Sequence, residues 1–206
     1  TSMNAYILRC KPHGFNREQE FLDGRISIGW PCGTSLANKS REEVANDLAK
    51  RYPDLSEISV SMVNLFVDIP TNSIVLTPSI KNKALIHIFK TTSTYQYDAA
   101  ADNNDVGNPH YVMAKYLKTV ARADLPSAVV RSLSGARKTL SQISQHYDLL
   151  DDYIASDFEA EVESEVSISG NKAEALNVLY ELLASNNENI RLNAAIAILN
   201  CEQKLA

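Results

Sequence analysis

Three aromatic residues, Trp30, Tyr95 and Tyr97, have side chains of the type that base stacking requires. Trp30 is the only tryptophan, and it follows Gly29 at the end of an alternating apolar segment. Tyr95 and Tyr97 are two residues apart, which places both side chains on one face of a β-strand. Because aromatic rings stack on nucleobases, the three are candidates for a base-stacking cage. The alternative interpretation is that they are core residues under the lid of a barrel.

Basic residues are concentrated between positions 115 and 138, where Asp124 is the only acidic residue. Clusters of this kind bind phosphates through an electrostatic and salt-sensitive interaction. An ordinary solvated surface is the alternative interpretation. Two N-terminal residues extend the cluster, so the phosphate-binding candidates are Lys11, Arg17, Lys115, Lys118, Arg122, Arg131, Arg137 and Lys138.

Two histidines, His13 and His110, each adjoin a proline at a predicted turn. Contacts to phosphate or to base edges are one interpretation, and the saturation of turn backbone groups is the other. The sequence contains neither an H-x-x-x-H nor a C-x-x-C pattern, so no metal site and no cofactor are predicted. Three cysteines without a pairing pattern favour a reducing cytoplasm.

Catalytic motifs are not found, and we therefore expect a protein that is not an enzyme. A restriction-type nuclease needs an acidic residue followed by (D/E)-x-K on a strand to hold Mg²⁺. The only such tripeptide, 202–204, lies at the end of a predicted helix. The sequence also lacks a glycine-rich phosphate loop and a nucleophile elbow.

The elements that must position these residues form a β-rich region with two inserted helices. One helix begins at a capping box formed by Ser40 and Glu43, and a second is predicted over residues 59–68. Strands are predicted over residues 6–10, 25–30, 73–77, 84–89, 92–97 and 110–117. This order predicts an α+β fold with a small, strongly bent sheet or a partly closed barrel.

The C-terminal part of the chain is predicted to be helical from Pro126 onward, with Leu140, Ile143 and Tyr147 at helical spacing. The pattern divides the chain into a recognition domain over 1–147, an acidic linker or helix over 148–170 and a helical hairpin over 171–206. One helix pair buries little apolar surface by itself. We therefore expect the hairpin to dock on the N-terminal domain or on another chain.

The formal net charge of −5 combines two regions of opposite sign. Residues 1–147 contain 17 basic and 13 acidic residues, whereas residues 148–206 contain 3 basic and 12 acidic residues. A charge asymmetry of this kind indicates two functional parts, of which only the first is suited to a polyanion. No segment approaches the roughly 18 consecutive apolar residues of a membrane span, so we predict no membrane association.

Taken in order, several motifs between residues 6 and 145 resemble the PUA-like modules, which include the EVE and YTH domains. The resemblance is strongest to the N-terminal domain that precedes Mrr-type restriction and Shedu-type phage-defence nuclease domains. The matching motifs are Pro12-His-Gly14 with Arg17 and Phe21, Ile28-Gly-Trp30, Tyr95-Gln-Tyr97-Asp98, Pro109-His110 and the segment 120–126. The chain departs from this pattern at Asn72-Ser73, where the family has Gly-Asp, and at Tyr116, where it has Trp.

The resemblance implies a PUA-like barrel that recognises DNA, including single-stranded DNA or a modified base, in a bacterial phage-defence or restriction system. The acidic C-terminal part would bind a protein partner or a second copy through residues 171–206. A protein-interaction or assembly subunit without a nucleic-acid role is the alternative function. Both functions are expected in the cytoplasm.

Overall fold

The longest strand of the sheet, β6 (His110–Ala121), changes its pairing partners along its length. We describe it from a computed structural model, which covers the backbone of residues 3–203 and the side chains of residues 3–156 and 174–200. The chain divides into two units after Tyr153. The first unit contains the whole sheet, and the second is helical.

Seven strands form the sheet of the first unit, and all but one pair of neighbours are antiparallel. The other strands are β1 (Ala5–Leu8), β2 (Arg25–Ile28), β3 (Ile74–Pro78), β4 (Leu85–Thr91), β5 (Gln96–Tyr97) and β7 (Leu140–Gln142). Their order is β2-β6-β4-β3-β1-β7, with β5 paired to β6 and with β1 parallel to β3.

The sheet is strongly bent, as predicted, because the two ends of β6 pair with different strands. Its first residues, 110–113, pair with β2, and residues 114–121 pair with β4. A register shift between Ile88 and Phe89 marks a bulge in the second pairing, and bulges increase the local twist of a sheet. The α+β fold class with a strongly bent sheet and a helical C-terminal segment is thereby confirmed.

Six α-helices accompany the sheet in the described chain. They are α1 (Glu18–Leu22), α2 (Arg41–Arg51), α3 (Glu57–Val67), α4 (Ser127–Gly135), α5 (Tyr147–Leu182) and α6 (Glu188–Gln203). The predicted capping box is present at the start of α2: the Ser40 hydroxyl accepts the Glu43 N–H, and the Glu43 carboxylate accepts the Ser40 N–H.

The hydrophobic core of the first unit lies between the sheet and helices α1–α3. Phe21, Phe66 and Phe89 are fully buried there, and the rings of Phe21 and Phe89 meet edge to face at 6.5 Å. Burying each of these rings contributes roughly 2–3 kcal/mol. Trp30 and Tyr95 pack half-buried against the same core.

Three sequence predictions differ from the structure. Residues 140–142, which were assigned to a helix from their apolar spacing, form strand β7 and pair with β1. Their pairing partner is more than 130 positions away in the sequence, so local spacing did not reveal it. The predicted strand over 92–97 is reduced to Gln96–Tyr97, and the predicted helix over 59–68 begins earlier, at Glu57.

The second unit contains most of α5 and all of α6. Backbone geometry is helical through the predicted acidic segment, whereas the side chains of residues 157–173, and residues 204–206 altogether, lie outside the described part of the chain. Leu192, Ile196 and Leu199 of α6 are exposed, whereas Ala194 and Ile198 are buried. None of the described helices is both long enough and apolar enough to cross a lipid bilayer.

Candidate nucleic-acid interface

The chain forms a tight turn after β1, and two glycines from distant loops press against it. His13 lies in this turn with a φ of 53°, a backbone conformation that residues other than glycine rarely adopt. A Cβ atom at Gly29 would lie 2.8 Å from the His13 backbone nitrogen, and one at Gly107 would lie 2.7 Å from the His13 Cβ. Only glycine therefore fits at both positions, and together they fix the place of His13.

Trp30, which follows Gly29, is the second strained residue of this region, with a φ of 61°. His13 and Trp30 line one cavity of about 280 Å³. Strained backbone conformations of this kind are concentrated at functional sites. We call this cavity the aromatic pocket; its lining is Lys11, Pro12, His13, Gly14, Gly29, Trp30, Tyr52 and Thr139.

Hydrogen bonds from the protein interior hold the Trp30 backbone in place. The Trp30 carbonyl lies 3.1 Å from His110 Nε2, and the opposite ring nitrogen, Nδ1, lies 2.7 Å from the Tyr95 hydroxyl. Burial lowers the pKa of His110, so its imidazole is neutral near pH 7. A neutral ring that donates from Nε2 must accept at Nδ1, and burial raises the pKa of Tyr95 to about 12, which keeps its hydroxyl as the donor.

A second set of hydrogen bonds holds the residues that follow Trp30. Asp102 Oδ2 accepts the Tyr97 hydroxyl at 2.5 Å and the Gly33 N–H at 2.8 Å. Arg51 donates to the Pro31 carbonyl at 3.1 Å and lies 3.4 Å from Asp102 Oδ1. Burial and the adjacent Asp102 carboxylate raise the pKa of Tyr97, so this hydroxyl also stays protonated.

The structure therefore separates the three predicted cage residues. Trp30 lines the aromatic pocket, whereas Tyr95 and Tyr97 are not among its lining residues. Both tyrosine rings contact His110 instead, at centroid distances of 5.8 Å and 6.0 Å. They share one face, as their spacing predicted, but that face supports the Trp30 loop from inside.

The two candidate histidines also have different positions. His13 is exposed in the aromatic pocket, where it is available to a ligand. His110 is fully buried, and both of its ring nitrogens have protein partners. A contact between His110 and a base edge would require the Trp30 loop to open.

A second cavity, of about 360 Å³, lies beside the aromatic pocket and shares Lys11 with it. Its rim carries four basic side chains and its floor is mainly apolar. We call it the cationic cleft; the rim is Arg9, Lys11, Lys83 and Arg122, and the rest of the lining is Ile7, Cys10, Pro78, Ser79, Ile80, Leu133 and Ala136.

Two arginines of the rim are fixed by backbone carbonyl groups. Arg9 Nη2 donates to the Ala136 carbonyl at 2.9 Å, and Arg122 Nε donates to the Lys83 carbonyl at 3.3 Å. In the described parts of the chain, none of the four rim residues forms an ion pair with an acidic side chain. Their positive charges are therefore available to an anionic ligand.

A buried carboxylate anchors the wall of the cleft that follows β3. Glu18 accepts hydrogen bonds from the Ser79 hydroxyl at 2.5 Å, from His87 Nε2 at 2.7 Å and from the backbone N–H groups of Ile80 and Lys81. Burial opposes ionisation of Glu18, but these donors outweigh it and lower its pKa below the usual range.

The other predicted phosphate-binding residues lie elsewhere. Arg17 is engaged with the Val106 carbonyl at 2.6 Å and lies 3.8 Å from Glu20. Lys138 lines a different cavity, next to α3. Four others are outside the lining of the cleft: Lys115 and Lys118 on β6, Arg131 on α4 and Arg137 after α4.

Of the predicted phosphate-binding residues, Lys11 and Arg122 line the cleft, whereas Arg9, Lys83 and Tyr52, which line the two cavities, were not among the candidates. The spacing of Arg9 and Lys11 at the end of β1 places them on one side of the chain and was a usable signal. Tyr52 ends helix α2, and nothing in its local sequence connects it with Trp30. Its hydroxyl donates to the Pro31 carbonyl at 3.0 Å, and this contact brings it to the pocket.

Comparisons with known proteins assign no function to this chain. No protein-family model and no curated protein sequence matches it. The crystal structure of protein Atu2648 from Agrobacterium tumefaciens is similar with a TM-score of 0.38 and 10% identity, over 71% of this chain and 88% of that one. This similarity is weak, and no activity is transferred from it.

Proposed function

We propose that this protein recognises nucleic acid without reacting with it, by holding an unstacked base in the aromatic pocket. The observation that carries the proposal is the shared residue Lys11, which joins an aromatic cavity to a cleft with four basic side chains that form no ion pair with any acidic side chain in the described parts of the chain. A nucleotide has the same two parts, a flat apolar base and an anionic phosphate. DNA with a single-stranded segment or a readily extruded base is the ligand we favour.

The aromatic pocket is suited to a base because its shape is fixed before a ligand arrives. Trp30 and Tyr52 offer ring surface, and stacking on such rings contributes about 1–3 kcal/mol per base with little sequence preference. Hydrogen bonds with His110 and Asp102 hold the Trp30 loop, so little conformational entropy is lost on binding.

The thiol among the lining residues of the cleft, Cys10, is not suited to act as a nucleophile. Cys10 is buried, and burial together with the nearby Glu18 raises its pKa to about 12. A thiol with this pKa is protonated at neutral pH and is a poor nucleophile.

The proposal is tested by titrating the full chain with a fluorescent single-stranded oligonucleotide, its perfect duplex and a duplex with one mismatch, all at low salt. We expect the single strand to bind most tightly and the mismatched duplex next, because its base is easier to extrude. Bound ligand should also quench the fluorescence of Trp30, the only tryptophan.

Trp30→Ala should weaken binding of the single strand by about tenfold, and Tyr180→Ala is the matched control. Tyr180 is 51% exposed in the second unit, so its removal should leave the affinity unchanged. If the chain binds none of the three ligands at low salt, the proposed function is wrong. A Trp30→Ala variant that binds as tightly as the natural chain would exclude the aromatic pocket as the site.

A second candidate function, self-association, is favoured by the surface of α6. Leu192, Ile196 and Leu199 follow one another at helical spacing and are 59%, 47% and 59% exposed. Such a stripe is the pattern with which two helices pack together. Leu192→Lys should convert a dimer to a monomer in sedimentation experiments, whereas a natural chain that is already monomeric at high concentration would exclude this function.

A further inference from the structure

The cationic cleft is larger and less polar than a site for phosphate alone. Its floor contains the buried residues Ile7 and Leu133, whereas its basic side chains are exposed or half-buried. A small inorganic anion would use the rim and leave the apolar floor in contact with water. The cleft is therefore suited to a ligand that has both an apolar body and a negative charge.

Because Lys11 lines both cavities, the ligand of the cleft and the ligand of the aromatic pocket meet at this residue. Lys11 is exposed and lines both cavities, so an anion bound by it lies at the boundary between them. In a nucleic-acid strand, the group between two successive bases is a phosphate. Two adjoining cavities with a cation between them match two successive nucleotides.

We propose that the cationic cleft binds the nucleotide adjacent to the one whose base occupies the aromatic pocket, with the phosphate between them at Lys11. This inference rests on the proposed function and goes further, because it defines the minimal ligand as a strand of two nucleotides. The apolar floor receives the second nucleoside, and Arg9, Lys83 and Arg122 neutralise its outer phosphate.

The rim is arranged for this role before the ligand binds. Backbone carbonyl groups hold Arg9 and Arg122, and the Glu18 carboxylate holds the segment that carries Ser79 and Ile80. Because the guanidinium groups are already positioned, a phosphate gains charge-assisted hydrogen bonds without ordering new side chains.

The inference is tested with three ligands of increasing length: a deoxynucleoside 5′-monophosphate, the corresponding 3′,5′-bisphosphate, and a dinucleotide with phosphates at both its 5′ and 3′ ends. In this series the bisphosphate adds the phosphate expected at Lys11, and the dinucleotide adds the second nucleoside with its outer phosphate. Quenching of Trp30 fluorescence in the full chain reports binding to the aromatic pocket. We expect the bisphosphate to bind more tightly than the monophosphate, and the dinucleotide to bind about tenfold more tightly than the bisphosphate.

Two variants and a matched control locate the added affinity. Arg9→Ala and Lys83→Ala should each reduce dinucleotide affinity several-fold and leave monophosphate affinity unchanged. Lys81→Ala is the control, because Lys81 is exposed on the same segment as Lys83 but is not in the lining of the cleft. Its affinities for all three ligands should equal those of the natural chain.

The possible results separate this inference from the proposed function. If the monophosphate quenches Trp30 and the dinucleotide binds no more tightly than the bisphosphate, the cleft does not receive a second nucleoside, although base recognition stands. Equal losses in Lys81→Ala and Lys83→Ala would also overturn the inference. If none of the three ligands quenches Trp30, both proposals are wrong.

Discussion

His13 shows how single residues prepare the candidate site. Its left-handed conformation costs roughly 1–2 kcal/mol, and a strained residue of this kind persists only where its surroundings impose it. Gly29 and Gly107 impose it here, because each lies against His13 at a distance that no Cβ atom would tolerate. The strain is therefore located at the mouth of the aromatic pocket, where the position of His13 affects a ligand.

Gly107→Ala should displace His13 and weaken the binding of single-stranded DNA several-fold. The new methyl group would meet the His13 ring and Cβ at 2.7 Å, and a residue with a φ of 77° is also strained by any side chain. We expect a loss of about 2 kcal/mol in the free energy of unfolding, measured by urea denaturation. Fluorescence titration measures the affinity.

Gly24→Ala is the matched control for this prediction. Gly24 also has a positive φ, 105°, and it precedes β2 outside the lining of the aromatic pocket. It should lose about 1–2 kcal/mol from backbone strain and from contact with the Ala114 carbonyl, and it should retain its affinity for DNA. If Gly24→Ala weakens binding as much as Gly107→Ala, the effect comes from general strain and not from His13.

Among single residues, the sequence indicated several that line the aromatic pocket but not the residues that hydrogen-bond or pack against them. Trp30, Lys11 and His13 were candidates because of their residue type and their neighbours, and all three line the aromatic pocket. Tyr95 and Tyr97 were predicted to share a face, which is correct. Their common partner, His110, comes from another strand, so local spacing did not show that they support the Trp30 loop from the interior.

At the scale of elements, Glu18 joins parts of the fold that are far apart in the sequence. It lies on α1, its partner His87 lies on β4, and His87 Nδ1 is 2.6 Å from Thr119 Oγ1 on β6. Such contacts are not visible in a sequence, whereas the capping box of α2 is local and was predicted. Strand β7 was missed for the same reason, because only its pairing with β1 makes residues 140–142 a strand.

The buried groups predict two separate acid-sensitive ranges of stability. The pKa of His110 is lowered from 6.5, so the unfolded chain takes up a proton first and stability falls as the pH drops below about 6.5. The pKa of Glu18 is lowered from 4.5, so its contribution is complete above about pH 4.5 and is lost as the pH falls through the lower folded value. Urea denaturation across this range measures both.

Substitutions assign each range to its residue. Glu18→Gln should lose about 2–3 kcal/mol at pH 7, since the amide cannot accept all four hydrogen bonds, and should show a weaker pH dependence below 4.5. His110→Gln should lose the dependence that begins near 6.5. A Glu18→Gln variant with the same acid profile as the natural chain would contradict this explanation.

At the scale of the whole molecule, the binding of DNA depends more on where the charges lie than on the net charge. The chain has a net charge of −5, yet four basic side chains surround a cleft where no described acidic side chain pairs with them. An acidic protein repels a polyanion at long range, and the positive potential of the cleft acts only within about one Debye length. Binding to DNA should therefore involve few phosphates and depend on a small number of identified residues.

The salt dependence of binding measures how many phosphates are contacted. For a single strand, log affinity falls linearly with log salt concentration, and each phosphate neutralised makes this decrease steeper by about 0.7. Arg9→Ala and Lys83→Ala should each make the decrease less steep by up to about 0.7 if their charges contact phosphate.

Arg131→Ala is the control, because this exposed arginine on α4 lies outside the cleft. It should change neither the salt dependence nor the affinity. If the unsubstituted chain shows a salt dependence much steeper than four phosphate contacts produce, the binding surface is diffuse and not a defined cleft. The same conclusion follows if Arg131→Ala reduces the salt dependence as much as Arg9→Ala does.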